Sequence, residues 1–274
     1  LPLPLRISLY EISMSRAAQQ PGPLTFIRSA LFMAVLIVVT PPYALLMMLC
    51  YPLPHRFRRL TAVPWVFFTI WLIEHLLGIR YRVLGRENIP EQPAVILAKH
   101  QSAWETVVLQ AIFPLGLFVW KKELKRLPFF GWALAVIPMI SIDRGAGKDA
   151  LKQLVEQGRL RLSQGYPVII FPEGTRVASG HKRRYKIGGA YLGVESGAPV
   201  LPVALNSGEF WSRQAFIKYP GTVTVSIGPP IDPTGLAAEV VSARAEAWME
   251  AEMRRISPHI YRDEKVQPAT VSAA

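Results

Sequence analysis

Two apolar runs dominate the first third of the chain. From Ser29 to Pro54 there are 26 residues without a charged side chain, SALFMAVLIVVTPPYALLMMLCYPLP, long enough to cross a bilayer. A second run, Leu60 to Ile73, is shorter and meets Glu74 and His75. Pro41-Pro42 in the first and Pro64 early in the second predict that neither is a simple straight helix. Tyr51, Trp65 and Trp71 suit the headgroup level of a membrane. Arg16 and Arg28 precede the first run, Arg56, Arg58 and Arg59 separate the two, and Arg80 and Arg82 follow the second. Positive charge on both sides of each run fits two full crossings poorly. It predicts a half-embedded helical hairpin with every arginine cluster at one headgroup surface, a spanning pair being the alternative.

From Tyr81 onward short apolar runs alternate with amphipathic stretches and turn signals. Strands are expected at Ala94–Ala98, Leu117–Trp120, Met139–Ile142, Val168–Phe171, Val200–Leu205 and Thr222–Ile227. Helices are expected at Trp104–Ile112, Gly131–Val136, Lys148–Ser163, Ile187–Ser196 and Leu236–Ile256. Repeated strand–helix–strand units imply an α/β fold: a mixed, largely parallel central sheet covered by helices, preceded by the N-terminal apolar hairpin. The expected organisation is a flexible segment over 1–28, a membrane-associated helical hairpin over 29–80, an α/β domain over 81–257 and a flexible tail over 258–274. No small-residue cleavage site follows the first run, so a secretory signal is not expected.

Composition narrows the partners. The 274 residues are 51% hydrophobic and Cys50 is the only cysteine, which excludes disordered, fibrous and disulfide-stapled classes. The net charge is +12, and its excess is local: +5 over residues 1–80, +9 over 81–190 and −2 over 191–274. An acidic partner is implied, either nucleic acid, anionic lipid or a phosphorylated substrate. The histidines show no metal-ligand spacing, and no metal or other cofactor is expected.

Four segments could carry chemistry. His100 closes the strand-like run AVILA, and residues just past the carboxyl ends of such strands line ligand crevices. Glu105 lies five residues on, out of register for one helix face. The two meet only if His100 sits in the turn and the Glu105 carboxylate reaches back. That pairing would hold one imidazole nitrogen and raise the basicity of the other, as a general base requires. The same residues also read as a capping box, Ser102 being the cap and Glu105 bonding to its N–H. Phe171-Pro-Glu-Gly-Thr-Arg176 follows a second strand. Gly174 there allows close backbone approach, and Thr175 and Arg176 suit a phosphate monoester; an ordinary strand-end turn is the plainer reading. The cluster Lys121-Lys-Glu-Leu-Lys-Arg126 is either a phosphate clamp or a solvated turn, and the apolar, aromatic segment after it, with Phe129, Phe130 and Trp132, could face lipid. Val200-Leu-Pro-Val-Ala-Leu-Asn206 reads as a buried strand.

In this order and at these separations the segments resemble the glycerolipid acyltransferase family, and within it the 1-acylglycerol-3-phosphate acyltransferases. The matching blocks are His100-Gln-Ser-Ala-Trp-Glu105, Lys122-Glu-Leu through Ile142-Asp143-Arg144, Phe171-Pro-Glu-Gly-Thr-Arg176, and Val200-Leu-Pro-Val203. The resemblance implies acyl transfer from acyl-CoA or acyl carrier protein, as co-substrate, to the sn-2 hydroxyl of a lysophospholipid acceptor, with phosphatidic acid as product. It implies catalytic roles for His100 and Glu105, and substrate binding by Lys122, Arg144, Glu173, Gly174, Thr175 and Arg176. Most of the family carries Asp where this chain has Glu105, which keeps the capping-box reading open. Other acceptors belong to the same chemistry: a lysophosphatidylethanolamine, an ornithine lipid or a lipid A precursor. A non-catalytic module binding anionic lipid is the rival from another class. Anionic membrane lipids are the expected surface partner, at the cytoplasmic face of the cytoplasmic membrane, and nucleic acid is not an expected partner.

Overall fold

The computed structural model describes residues 22–261 apart from Arg144. Helix α1 spans Pro23–Leu49, α2 His55–Leu60 and α3 Val63–His75. Strand β1 (Ile79–Leu84) opens the α/β part, followed by β2 (Val95–Ala98), α4 (Trp104–Ile112), β3 (Leu117–Lys121) and α5 (Phe130–Val136). After these come β4 (Ile140–Ile142), α6 (Lys148–Ser163), β5 (Val168–Ile170), α7 (Gly188–Ser196), β6 (Val200–Leu205), β7 (Gly221–Ile227) and α8 (Ala238–Ile256).

The seven strands form one sheet in the order β1-β7-β6-β2-β5-β3-β4. All neighbours are parallel except β6 and β7. This is the expected mixed, largely parallel sheet, with β1 added. Its alternation, Ile79, Tyr81 and Val83 against Arg80 and Arg82, is that of an edge strand, and a boundary drawn at 80/81 cuts through it. Strand β2 is buried along its whole length because β6 and β5 flank it and helices cover both faces. Its register with them, Val95 against both Val168 and Val200, sets the carboxyl ends of the three strands side by side.

Three expectations about the N-terminal part need correction. Helix α1 starts at Pro23, inside the segment expected to be flexible, and runs unbroken through Pro41 and Pro42. The two prolines leave the carbonyls of Ile37 and Val38 without their helical N–H partners. Packing holds that stretch in line: Tyr43 Oη donates to the Thr61 carbonyl at 2.6 Å and Trp65 Nε1 to Thr40 Oγ1 at 3.3 Å. Pro64 does not interrupt the second run either, since it falls in the first turn of α3, where a missing N–H costs nothing. The inter-helix arginines are not all at an outer surface. Arg58 and Arg59 are buried, and Arg59 Nη2 donates to the Gly116 carbonyl at 3.4 Å.

Helix α1 is long and apolar enough to cross a membrane by length and composition. It turns Leu24, Ile27, Ile37, Val38, Leu46 and Leu49 outward, and α3 adds Phe67 and Trp71. Its inner side is tied to the loop before β7: Phe32 meets Trp211 edge to face at 5.5 Å, and Ser29 Oγ accepts the Lys218 N–H at 3.0 Å. At the other end of the chain, order continues past 257. Ser257 and His259 both bond to Glu209, so the expected tail at 258 begins too early; residues 262–274 lie outside the described residues.

Candidate active site

Three strand ends build the site. From β2 come Lys99 and His100, from β5 the segment Phe171–Arg176, and from β6 Asn206 and Ser207. Adjacent parallel strands deliver these residues to one edge of the sheet although the β5 and β6 residues follow His100 by 71 to 107 positions in sequence.

The structure joins His100 and Glu105. Nδ1 of the imidazole lies 3.1 Å from Glu105 Oε2. Helix α4 begins only at Trp104, so His100 stays in the turn and the carboxylate folds back over it. The capping-box bond is present at the same moment. Ser102 N–H donates to Glu105 Oε1 at 2.9 Å and Oε2 at 3.0 Å, and the Gln101 N–H reaches Oε1 at 3.2 Å. Ser102 Oγ in turn accepts the Trp104 N–H at 3.0 Å. Dyad and cap are therefore one arrangement rather than alternatives. A longer side chain than Asp lets a single carboxylate serve both.

A carboxylate can only accept, so the proton shared with it belongs on Nδ1 and the Nε2 lone pair is free for chemistry. Among the described residues no protein group bonds Nε2. The rest of His100 is held on every side. Its N–H donates to Glu173 Oε2 at 2.8 Å, its carbonyl accepts the Val177 N–H at 2.7 Å, and the Phe171 ring stacks on the imidazole at 3.8 Å and 10°.

His100 opens onto a cavity of about 420 Å³. Gly174, Thr175 and Arg176 line it, together with Lys121 and Arg213. Its apolar wall includes Trp65 of α3, Val107 of α4, Leu124, Leu134 and Met139. Below Trp65, Leu134 and Met139 it meets a smaller apolar recess between α1, α3 and α5.

Several expected site residues lie elsewhere. Glu173 is fully buried and does not line the cavity: Oε1 pairs with Lys99 Nζ at 2.5 Å and Oε2 holds the His100 N–H. Burial pushes its carboxyl above the usual range, against the pull of Lys99. Lys122 is exposed and begins a short 3-10 turn; Lys121, which closes β3 on the same face as Val119, is the lysine that lines the cavity. Arg144 lies outside the described residues. Phe129 and Trp132 pack on each other at 5.2 Å, and neither is among the residues of the cavity wall.

Residues missed in the sequence matter as much. The hydroxyl of Ser207 makes a very short contact with Glu105 Oε1 and also accepts from Ser102 Oγ at 3.1 Å. No motif marks it, because β6 brings it in from 102 residues away. Lys99 had a readable signal, a charge directly after five apolar residues. It is 1% exposed, held by Glu173 and Glu250. Burial alone would depress its ammonium, but the two carboxylates more than offset this and hold it above its ordinary value.

Gly174 has a left-handed φ of +70°, and a Cβ there would fall 2.9 Å from Lys186 Cε. Gly174→Ala is expected to cost about 1–2 kcal/mol from the backbone conformation, lowering Tm by roughly 2–8 °C. Gly174→Asn is expected to lose less, since Asn tolerates that region. Equal melting temperatures for wild type and Gly174→Ala would contradict the left-handed turn.

The chain is similar to known proteins over most of its length. The model of the family described as Acyltransferase matches residues 80–206. The chain is 47% identical over 224 residues to the curated 1-acyl-sn-glycerol-3-phosphate acyltransferase of Pseudomonas aeruginosa, covering 80% of this chain and 87% of that protein. It is 31% identical over 178 residues to 1-acyl-sn-glycerol-3-phosphate acyltransferase alpha of Mus musculus, covering 64% and 62%. The crystal structure of the 1-acyl-sn-glycerophosphate acyltransferase of Thermotoga maritima superposes with a TM-score of 0.69 at 23% identity. That match covers 85% of this chain and 95% of the other, and it shows a shared fold.

Proposed function

The chain belongs to the acyltransferase family, and we propose that it transfers a fatty acyl group from acyl-CoA or acyl carrier protein to the sn-2 hydroxyl of 1-acyl-sn-glycerol 3-phosphate, giving phosphatidate for phospholipid synthesis. The observation that carries this reading is the His100–Glu105 pair opening onto a cavity lined by the cations Lys121, Arg176 and Arg213 and by apolar residues.

In this reading Nε2 of His100 takes the acceptor's hydroxyl proton as the oxygen attacks the thioester carbonyl. Glu105 stabilises the imidazolium that forms. Collapse of the tetrahedral intermediate breaks the C–S bond, and the imidazolium proton goes to the leaving thiolate. An acyl-serine step is not required, and Ser102 is a poor candidate for one: it is fully buried, with its oxygen engaged by the Trp104 N–H. Thr175 and Arg176, with Lys121 and Arg213 of the same cavity lining, hold the acceptor's phosphate. A fixed phosphate sets the hydroxyl beside His100, and such positioning supplies much of the rate. The apolar wall and the recess under α1, α3 and α5 take an acyl chain. The outward apolar faces of α1 and α3 rest in the cytoplasmic leaflet, where acceptor and product reside.

The test is an acceptor and donor panel on the full chain purified in detergent, with turnover expected on lysophosphatidate. Transfer to lysophosphatidylethanolamine, an ornithine lipid or a lipid A precursor with none to lysophosphatidate would refute the proposed acceptor. Arg176→Ala is expected to raise the acceptor KM by about tenfold or more, the worth of one charged hydrogen bond, with a smaller change in kcat. An unchanged KM would remove Arg176 from the phosphate site.

A further inference from the structure

The matched family region ends at residue 206, yet two lines of contact reach the dyad from beyond it. The first begins on α8. Glu250 Oε1 accepts from Lys99 Nζ at 3.0 Å and from Tyr185 Oη at 2.9 Å. Lys99 Nζ also pairs with Glu173 Oε1, whose other oxygen holds the His100 N–H. All four side chains of this line are buried. The second begins just after α8. Ser257 Oγ donates to Glu209 Oε1 at 2.5 Å, and His259 Nε2 lies 2.9 Å from Glu209 Oε2. Glu209 closes the 3-10 turn Ser207–Glu209. In that turn Ser207 meets Glu105, and the Gly208 N–H donates to Gln101 Oε1 at 3.0 Å.

We propose that Glu250 of α8, and Ser257 and His259 just after it, position the active site, acting on His100 through Lys99 and Glu173, and on Glu105 through Glu209 and Ser207. This rests on the reading of His100 as the base. Stability is a poor reason for the first line, because apolar packing replaces a buried ion network at little or no loss. Two carboxylates share one lysine there, and the tyrosine neutralises neither of them. What the network does, and an oily contact cannot, is fix a direction. Glu173 has to point one oxygen at the His100 N–H, Lys99 holds its other oxygen, and Glu250 keeps Lys99 from swinging away. Together with the Val177 bond and the Phe171 stack, this sets the imidazole from behind and leaves its front to substrate. In the second line, Ser257 and His259 brace the Glu209 end of the turn. Its Ser207 end then stays against the carboxylate that orients Nδ1.

The experiment compares Glu250→Gln, Glu209→Gln and Val241→Ala in the full-length protein, measuring kcat, both KM values and Tm. Val241 is a fully buried apolar residue of α8 with no hydrogen-bonded link to the dyad, so its truncation loosens the same helix. Each Gln variant is expected to lose about ten- to a hundredfold in kcat, as a small misplacement of the base would, with both KM values within about twofold. Val241→Ala is expected to lower Tm while kcat stays within about twofold. Should either Gln variant fail to fold, Tyr185→Phe and Ser257→Ala each remove one hydroxyl from the same lines, and a loss of roughly threefold or more in kcat at unchanged KM is expected. The inference is overturned if the variants lose stability and keep wild-type kcat, or if Val241→Ala loses kcat as they do. His100→Ala separates the two levels. If it retains turnover, the base reading itself fails; if it is inactive while the Gln variants are normal, only the positioning role fails.

Discussion

His100→Ala is expected to lower kcat by about a thousandfold or more while leaving the acceptor KM within a few-fold of wild type. General-base catalysis contributes roughly 10²–10⁴ in rate, and no other described side chain of the cavity wall is paired to a buried carboxylate as His100 is. KM should change little because the cations at Arg176, Lys121 and Arg213 are untouched. Stability should fall only modestly. The imidazole is partly exposed at the cavity, and its removal costs the stack on Phe171 and one bond to Glu105. The backbone bonds to Glu173 and Val177 survive an alanine. Steady-state kinetics with a thermal melt checks both halves. Turnover near wild type would show that the proton leaves by another route.

Glu105→Ala is expected to damage both activity and fold. Its carboxylate is fully buried and receives the N–H groups of Gln101 and Ser102, the hydroxyls of Ser102 and Ser207, and the His100 ring. Alanine leaves those donors without their acceptor, at about 3–5 kcal/mol, the usual consequence of taking one partner out of a buried charged cluster. At about 2–4 °C per kcal/mol the melting temperature should fall by roughly 6–20 °C. Activity should fall by about 10²–10⁴, since nothing then holds the Nδ1 proton or stabilises the imidazolium. Glu105→Gln keeps the shape but turns an N–H₂ toward a site that supplies only donors. Most of the loss of activity should persist, with a smaller loss of stability. In the His100→Ala, Glu105→Ala double variant the kcat losses should not multiply, because the two residues act as a unit. Multiplying losses, seen in a full double-mutant cycle, would mean that they act separately.

The contrast between these two variants shows what could be read in advance. His100 was legible because a titratable residue two positions past AVILA, after Lys99, stands at a strand end, where parallel sheets bind ligands. Glu105 was legible as a partner or as a cap, and a spacing of five could not choose. Only the backbone path before Trp104 shows that one carboxylate does both. Glu173 illustrates the opposite failure. Its block marked it as a ligand for substrate, whereas the fold buries it behind His100 on Lys99.

Periodicity and the order of the blocks were enough for the α/β class and for the strands and helices after residue 93, because those depend on local pattern within a strand–helix unit. Sheet order was not, and with it went everything that crosses the sheet. Placing β2 between β5 and β6 is what brings Ser207 to Glu105 and Glu173 to His100, and the docking of α8 is what brings Glu250 to Lys99. The tertiary structure also shows Lys121 rather than Lys122 lining the cavity, and Arg58 and Arg59 buried. Such contacts join residues up to 151 positions apart. They carry no repeat or spacing in the chain, since a buried polar side chain is selected by what lies opposite it in space, and that neighbour exists only after the sheet has formed.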